Sequence, residues 1–418
     1  MHIDTIFEIM SNPPDLLFQS NIDQLTDIVA HVFKIESFTR GDPKHKYLAR
    51  YQGSLISEDS TASYDRLTRE LRPLDITPLF RIENGMQTIL LTPGVVYPKP
   101  SKIWVNLIFF ILTVFSTFLV GAAYVYNGPP ITSLSGLYMV SLANIWQGWP
   151  FAVSLLSILL AHEFGHYLAS RYHHTAATLP YFIPMPVPGT FGTMGAVIFQ
   201  KESHKNKRIL LDIGMAGPLA GLIVAIPVLI IGLSLSQVDR LPTFLHANEG
   251  LSLEGNSILY LLLKYAVFHQ WLPTPANFGN LPPLLYWVIY FFTGLPTPLG
   301  GKDVMLHPVA MAAWAGLLVT ALNLIPVGQL DGGHILHGLF GERAASIRPI
   351  ILTVLILLGL AWPGWWLWAI LIFFLGRSYA EPLDQITPLD TKRKILALVN
   401  MVIFILVFTP VPLRAIGG

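Results

Sequence analysis

Three residues that could do chemistry together, His162, Glu163 and His166, lie in the stretch LLAHEFGHYLA. Because residues four apart share one face of a helix, both imidazoles can present a nitrogen to one ion, while Glu163 lies on the adjacent side. This arrangement is typical of a catalytic zinc site, in which three protein ligands hold the metal and a nearby carboxylate acts as general base towards a bound water. Two histidines are one ligand short, so we expect a third His or carboxylate from another segment.

The apolar run LLSILLA directly precedes the motif. A histidine pair on a helix of a soluble protein is often only surface decoration. Ionisable side chains at membrane depth, however, are costly and usually face a partner, a water-filled cavity or a bound ion. The apolar context therefore favours a metal site over decoration.

The best candidate for the missing ligand is Asp331 in NLIPVGQLDGGH. It follows an apolar segment, and the Gly332-Gly333 pair allows the backbone to bend close to the site. Asp331 could instead cap a helix that starts near Gly333. His334 and His337 compete for the ligand role, whereas Asp303 and His307 lie at the opposite end of their predicted span.

Composition points to a polytopic α-helical membrane protein. Of the 418 residues, 53% are hydrophobic and 12% charged, and the mean hydropathy is +0.55. The absence of cysteine excludes disulfides, thiolate metal sites and cysteine nucleophiles. With 26 Lys and Arg against 25 Asp and Glu, we expect no nucleic-acid partner.

Charge divides the chain at about residue 98, because 23 of the 51 charged residues lie in the first hundred. Residues 1–98 are therefore predicted to form a small soluble α+β domain, and residues 99–418 a polytopic transmembrane domain. The predicted elements of the first are an acidic helix near 21–33, a strand in KYLARYQGSL, a helix in TASYDRLTREL, and a hairpin in which PLFRI and MQTILL flank the turn Glu83-Asn84-Gly85.

Apolar stretches long enough for membrane helices begin at Ile103. The predicted spans are 103–126, 148–170, 209–235, 307–325, 347–361, 364–376 and 394–411. The fifth and sixth could instead form a shallow hairpin, and 236–306 adds two apolar pieces too short for confident spans.

Basic residues in the short loops give the expected orientation. Segment 171–208 carries Arg171, Lys201, Lys205, Lys207 and Arg208, whereas 127–148 has none. We therefore expect the N-terminal domain, 171–208 and the HEFGH end of its span to be cytoplasmic.

HEFGH near the end of one span, with NLIPVGQLDGG at the end of a later one, resembles the site-2 protease family of intramembrane zinc metalloproteases. The resemblance covers about 150–340, which corresponds to a predicted catalytic core of about 148–340. It implies a Zn²⁺ cofactor, His162, His166 and Asp331 as ligands and Glu163 as the base. It further implies that Asn323 positions the substrate, although a buried amide joining two helices is the alternative. No PDZ-type domain is evident between the spans, so the chain resembles the PDZ-less branch found in photosynthetic lineages.

Two glycine-rich stretches accompany the core. PVPGTFGTMGAVIF, with Gly189, Gly192 and Gly195, resembles the family's membrane-associated hairpin, whose edge could hold an unwound substrate as an added strand. A simple connecting turn is the alternative. In GPLAG, the spacing of Gly217 and Gly221 is typical of close helix packing rather than chemistry.

The resulting hypothesis is an integral-membrane zinc endopeptidase that cleaves transmembrane or membrane-anchored proteins near the cytoplasmic face, as in regulated intramembrane proteolysis. The chief alternative is a divalent-metal transporter, which would need a polar route across the whole bilayer. A di-iron oxygenase would need several histidine-rich motifs. Besides HEFGH, the sequence contains only the adjacent pair His173-His174.

Overall fold

The chain divides into two compact units. The computed structural model describes residues 15–41, 47–128, 131, 133–245, 250–376 and 379–417. One unit comprises Met1–Lys99 with Glu202–Leu210 and Glu381–Asp390, and the other Pro100–Lys201, Leu211–Ala380 and Thr391–Gly418. The sequence did not predict that two later segments belong to the N-terminal unit.

The N-terminal unit contains an antiparallel sheet in the order β1-β2-β4-β3 and two helices. The elements are α1 (Asp15–Ala30), β1 (Phe33–Arg40), β2 (Ala49–Leu55), α2 (Ser60–Leu71), β3 (Ile76–Glu83) and β4 (Met86–Pro93). Its core includes Leu67, Phe80 and Ile89, all fully buried.

The predicted hairpin is confirmed. Glu83 pairs with Met86, and the two residues between them have positive φ, 51° at Asn84 and 82° at Gly85, as a two-residue turn of the primed type requires. The predicted first helix, near 21–33, is displaced, since α1 ends at Ala30 and β1 follows. The strand was missed because its main stabilisation comes from pairing with β2.

Two later segments extend this sheet beyond β3. The Phe80 amide donates to the Leu383 carbonyl at 2.9 Å, and the Gln385 amide donates to the Phe80 carbonyl at 3.0 Å. On its other side, Asp384 donates from its amide to the Lys205 carbonyl at 2.8 Å. These segments therefore add two short parallel bridges to the sheet.

The second unit is mainly helical. Its helices are α3 (Ile103–Val125), α4 (Leu134–Ala143), α5 (Trp149–Tyr172), α6 (Lys207–Ser234), α7 (Ile258–Phe268), α8 (Pro283–Thr293), α9 (Pro308–Asn323), α10 (Asp331–Phe340), α11 (Arg348–Leu358), α12 (Gly364–Leu375) and α13 (Thr391–Val407). Its strands pair antiparallel and are β5 (Tyr181–Pro184) with β6 (Thr193–Val197), β7 (Gln237–Arg240) with β9 (Lys302–Met305), and β8 (Gly250–Glu254) with β10 (Leu413–Gly417).

Three helices are long and apolar enough to cross a membrane within the described ranges. They are α3, α6 and the continuous helix Ile145–Tyr172, which contains α5. They coincide with the first three predicted spans. The later predicted spans contain shorter helices, since α9, α11, α12 and α13 have 16, 11, 12 and 17 residues, fewer than the roughly 20 that a straight span needs.

The shorter helices have identifiable causes. Pro363 separates α11 from α12, which pack against each other around Leu355, Trp365 and Ile372, in agreement with the hairpin alternative. A proline cannot continue the first helix, but it fits the start of the second. Helix α4 lies in a segment that the sequence predicted as a loop, because its ten residues are too few for a span.

A buried charge cluster joins α7 to strands β8 and β9. The ammonium of Lys264, which is fully buried, lies 3.8 Å from a carboxylate oxygen of both Glu254 and Asp303. The Tyr260 hydroxyl donates to Glu254 at 3.0 Å, and its ring lies 4.5 Å from the ammonium. Two carboxylates thus share one buried lysine.

The charge cluster predicts that stability depends on pH. Burial, together with the charge of Asp303, raises the pKa of Glu254 from 4.5 to about 7. Between these values the folded state holds a proton that the unfolded chain releases, so the free energy of unfolding falls as the pH rises. We expect the unfolding temperature of purified protein to decrease between about pH 5 and pH 8.

Glu254→Gln should flatten that dependence, because the amide does not titrate. Glu342→Gln, at an exposed position, is the matched control and should keep the slope. An unchanged slope in Glu254→Gln would contradict the assignment.

Candidate metal centre

Helix α5 presents the histidine pair to the interior of its unit. It packs against α3 and α9, and its motif residues His162, Glu163 and His166 have exposed fractions of 3%, 4% and 9%. Burying three ionisable groups together is unfavourable unless partners or an ion compensate them. The question is what faces them.

Asp331 reaches this position through a tight turn after α9. The chain leaves the helix at Asn323 and passes through Gly328, which has φ of 59°. It re-enters a helix at Asp331. A Cβ at Gly332 would lie 2.0 Å from the Leu324 carbonyl oxygen, so only glycine permits this approach.

The capping alternative for Asp331 is not what the structure shows. Helix α10 begins at Asp331 itself, its cap residue is Leu330, and no side chain forms a cap hydrogen bond there. The carboxylate instead turns towards the histidines of α5.

The three side chains converge at metal-ligand spacing. Nε2 of His162 and Nε2 of His166 are 3.3 Å apart. The two oxygens of Asp331 lie 3.2 Å from the first nitrogen and 3.3 Å from the second. Tetrahedral zinc with bonds of roughly 2.0–2.1 Å would separate its ligands by about 3.3 Å, so the donor set fits this ion.

The hydrogen bonding of the rings also favours a cation. Nδ1 of His166 lies 2.7 Å from the carbonyl oxygen of Ile213 and must donate to it, because a carbonyl only accepts. In the neutral ring, Nε2 then carries a lone pair that points at another imidazole and a carboxylate. The lone pair of His166 and the Asp331 carboxylate both face Nε2 of His162, so a cation or a proton must lie between these groups, and a metal ion satisfies all three.

The remaining predicted site residues from the core motifs lie beside this group. Glu163 follows the first histidine directly and is buried. Nδ2 of Asn323 lies 3.3 Å from Nε2 of His162, so this amide joins α9 to α5 at the site. That contact is compatible both with positioning a substrate and with holding two helices together.

Gly189 and Gly192 lie in the β5–β6 connection, and Gly195 lies within β6. Gly189, Gly192 and Gly195 all have positive φ, of 86°, 75° and 97°, and the antiparallel hairpin itself is confirmed. The carbonyl of Gly192 accepts a hydrogen bond of 2.6 Å from Ser116, and a Cβ there would lie 2.7 Å from Thr117 Cα. Gly192 thus seats the hairpin on α3.

The competing ligands lie elsewhere among the described residues. The group that could hold a metal contains only His162, His166 and Asp331. His337 stacks on Tyr379, and Asp303 lies near Lys264. The other positions are His307 at the start of α9 and His334 in α10.

The His173-His174 pair does not form a second metal box in the structure. His173 lies 2.9 Å from Asp212, whose carboxylate also accepts two hydrogen bonds from Arg393, at 2.8 and 2.6 Å. This network ties the end of α5 to α6 and α13.

The sequence interpretation missed the part of α6 that faces His166. The carbonyl of Ile213 fixes the ring through Nδ1, and Gly217 faces the ring on the side of Nε2. The available signal was the spacing of GPLAG, where two glycines four apart match two histidines four apart, but the sequence does not show that the two pairs meet.

Comparison with known proteins agrees with this site. The family model for peptidase family M50 matches residues 150–361. The probable chloroplastic zinc metalloprotease EGY1 of Oryza sativa subsp. japonica is 30% identical over 342 residues, which are 78% of this chain and 53% of that protein. Its Arabidopsis thaliana counterpart is 28% identical over 343 residues, 77% of this chain and 56% of that protein.

A further relative is the probable chloroplastic zinc metalloprotease EGY2 of Oryza sativa subsp. indica, 29% identical over 264 residues, 62% of this chain and 42% of that protein. The chain spans about half the length of the curated relatives it matches. No solved structure matches it.

Proposed function

Because the chain belongs to peptidase family M50, we propose that it is an intramembrane zinc metalloendopeptidase. Its substrates are transmembrane or membrane-anchored proteins, cleaved near the cytoplasmic face. The observation that carries the proposal is the convergence of His162, His166 and Asp331 at 3.2–3.3 Å with Glu163 beside them. The names of the relatives, which are zinc metalloproteases, support the choice of metal.

Each residue of the site has a separate role in peptide hydrolysis. His162, His166 and Asp331 hold the ion. A bound zinc ion supplies Lewis-acid polarisation of the scissile carbonyl and lowers the pKa of water. Glu163 removes a proton from the attacking water and delivers one to the leaving amine. Asn323 orients the substrate carbonyl through its amide.

The hairpin of β5 and β6 provides a place for the scissile segment. A peptide bond inside an intact helix is inaccessible, so the substrate must unwind, and its backbone groups then need partners in the apolar environment. The exposed side chain of Met194, 69% accessible, lies on β6. We assign this two-stranded hairpin, with two glycines in its connection and one in β6, to binding an extended substrate by strand addition.

The membrane arrangement of this proposal is polytopic. Helices α3, α5 and α6 cross the bilayer, and the shorter apolar helices enter it alongside them. Helix α9 is buried on most of its surface, as expected for a helix surrounded by protein rather than lipid. The basic residues of segment 171–208 support a cytoplasmic location for the metal site and for the N-terminal unit.

To test the proposal, the purified full chain is reconstituted in liposomes together with a single-span test protein. The test protein carries helix-breaking glycines near its cytoplasmic end. We expect cleavage, identified by product mass, that stops when a chelator removes zinc and returns when zinc is restored. A zinc-sensitive dye inside the same liposomes monitors transport. Metal flux without cleavage would favour the divalent-metal transporter instead.

A further inference from the structure

We infer that Ile213 and Gly217 of α6 are positioning residues that form a seat for the His166 ring. This inference rests on the proposed function, because it concerns the ring as a zinc ligand. A Cβ at Gly217 would lie 2.0 Å from His166 Nε2, 2.4 Å from Cδ2 and 2.5 Å from Cε1. Any side chain at this position would therefore occupy the space of the ligand nitrogen itself.

The contact between the glycines of α6 and the histidines of α5 extends over two successive helical turns. One turn beyond Gly217, a Cβ at Gly221 would lie 3.2 Å from both Cβ and Nδ1 of His162. Between His162 and His166 the helices nearly touch, since a Cβ at Gly165 would lie 2.5 Å from the Ala216 carbonyl oxygen. The glycines of α6 thus face the histidines of α5 turn by turn, and the contact is tightest at the His166 ring.

The Ile213 carbonyl supplies the orienting half of the seat. It accepts the Nδ1 hydrogen of His166 at 2.7 Å, which selects the tautomer whose Nε2 is free to bind an ion. Outer hydrogen bonds of this kind fix the orientation of ligand histidines and commonly change metal affinity about 10- to 100-fold. Gly217 leaves free the face of the ring over Nε2, so the two residues act together.

Close helix packing alone is the competing explanation. Gly232 provides the matched control, because it lies on the same helix and a Cβ there would be 2.3 Å from the Ala310 amide nitrogen and 2.5 Å from its Cα. Alanine at 217 and alanine at 232 therefore create comparable steric conflicts. Only the first conflict involves a metal ligand.

The test compares Gly217→Ala, Gly221→Ala and Gly232→Ala in the purified full chain, by zinc affinity and by unfolding temperature with and without chelator. For Gly217→Ala we expect zinc affinity to fall at least about 10-fold and the chelator-dependent shift in unfolding temperature to shrink. For Gly221→Ala, whose added methyl would lie 3.2 Å from His162, we expect a smaller loss of zinc affinity than for Gly217→Ala, and Gly232→Ala should unfold at a lower temperature yet keep its zinc. Wild-type affinity in Gly217→Ala, or equal zinc loss in Gly232→Ala, would overturn the inference.

A double variant keeps the test decisive if Gly217→Ala does not fold. Removing the ring in His166→Ala should make room for the added methyl, so Gly217→Ala should cost little stability in that background when metal is absent. An undiminished cost would mean that the glycine serves packing against other groups. If the wild type binds no zinc, the proposed function fails. The comparison of Gly217→Ala in the wild-type and His166→Ala backgrounds needs no metal, so it still tests whether Gly217 makes room for the His166 ring.

Discussion

Replacing Glu163 with glutamine is expected to lower the cleavage rate by about 10³-fold while leaving zinc bound, because a general acid–base group contributes roughly 10²–10⁴ to a rate. The amide has the same shape but can neither remove a proton from water nor return one to the leaving amine. The ligands His162, His166 and Asp331 are untouched, so the metal should stay. The measurement is the rate of product formation in liposomes beside zinc content by elemental analysis.

The control for this variant is Glu254→Gln, which alters another buried carboxylate outside the metal-binding group. It should cleave at the wild-type rate at a pH where it is folded. Full activity of Glu163→Gln with its metal retained would remove Glu163 from the mechanism. Loss of zinc in that variant would instead make the carboxylate part of the metal-binding set.

Replacing Asp331 with alanine is expected to weaken zinc binding by at least about 100-fold, more than the loss of an outer hydrogen-bonding partner commonly costs. The substitution removes both oxygens that face the histidine nitrogens at 3.2 and 3.3 Å. Two imidazoles alone leave the ion with too few protein ligands for a stable site. Competition with a chelator of known zinc affinity measures the change.

His334→Ala and His337→Ala are the matched controls, because they alter the two nearest alternative ligands on the same helix. Both variants should keep about one zinc per chain. Unchanged zinc affinity in Asp331→Ala would exclude the aspartate as a ligand. Zinc loss in either histidine variant would instead identify that histidine as the third ligand.

The parts of the fold that could be predicted follow from local sequence patterns. The pair His162 and His166 shares a face because any α-helix places residues four apart together. The Asn84-Gly85 turn formed because these residue types accept positive φ. The approach of Asp331 was foreseeable from the need for a third ligand and from the glycines that follow it.

The parts that could not be predicted depend on contacts between distant segments. Nothing in GPLAG alone shows that Gly217 lies beside His166, since the contact requires α5 and α6 to be packed in one register. The predicted segments around α9 and α11 extended past the ends of these helices, because hydropathy records apolar composition and not where tertiary contacts end a helix. The two added bridges beyond β3 are likewise non-local.

Those two added bridges have a consequence for how the protein is made. The edge of β3 is covered by backbone bonds between Phe80 and the residues Leu383 and Gln385, about three hundred positions later in the chain. A ribosome releases the N-terminal sheet long before it synthesises the strand that finishes it. The N-terminal unit therefore begins to fold long before its sheet can be completed, and until then its open edge is exposed to pairing with other chains.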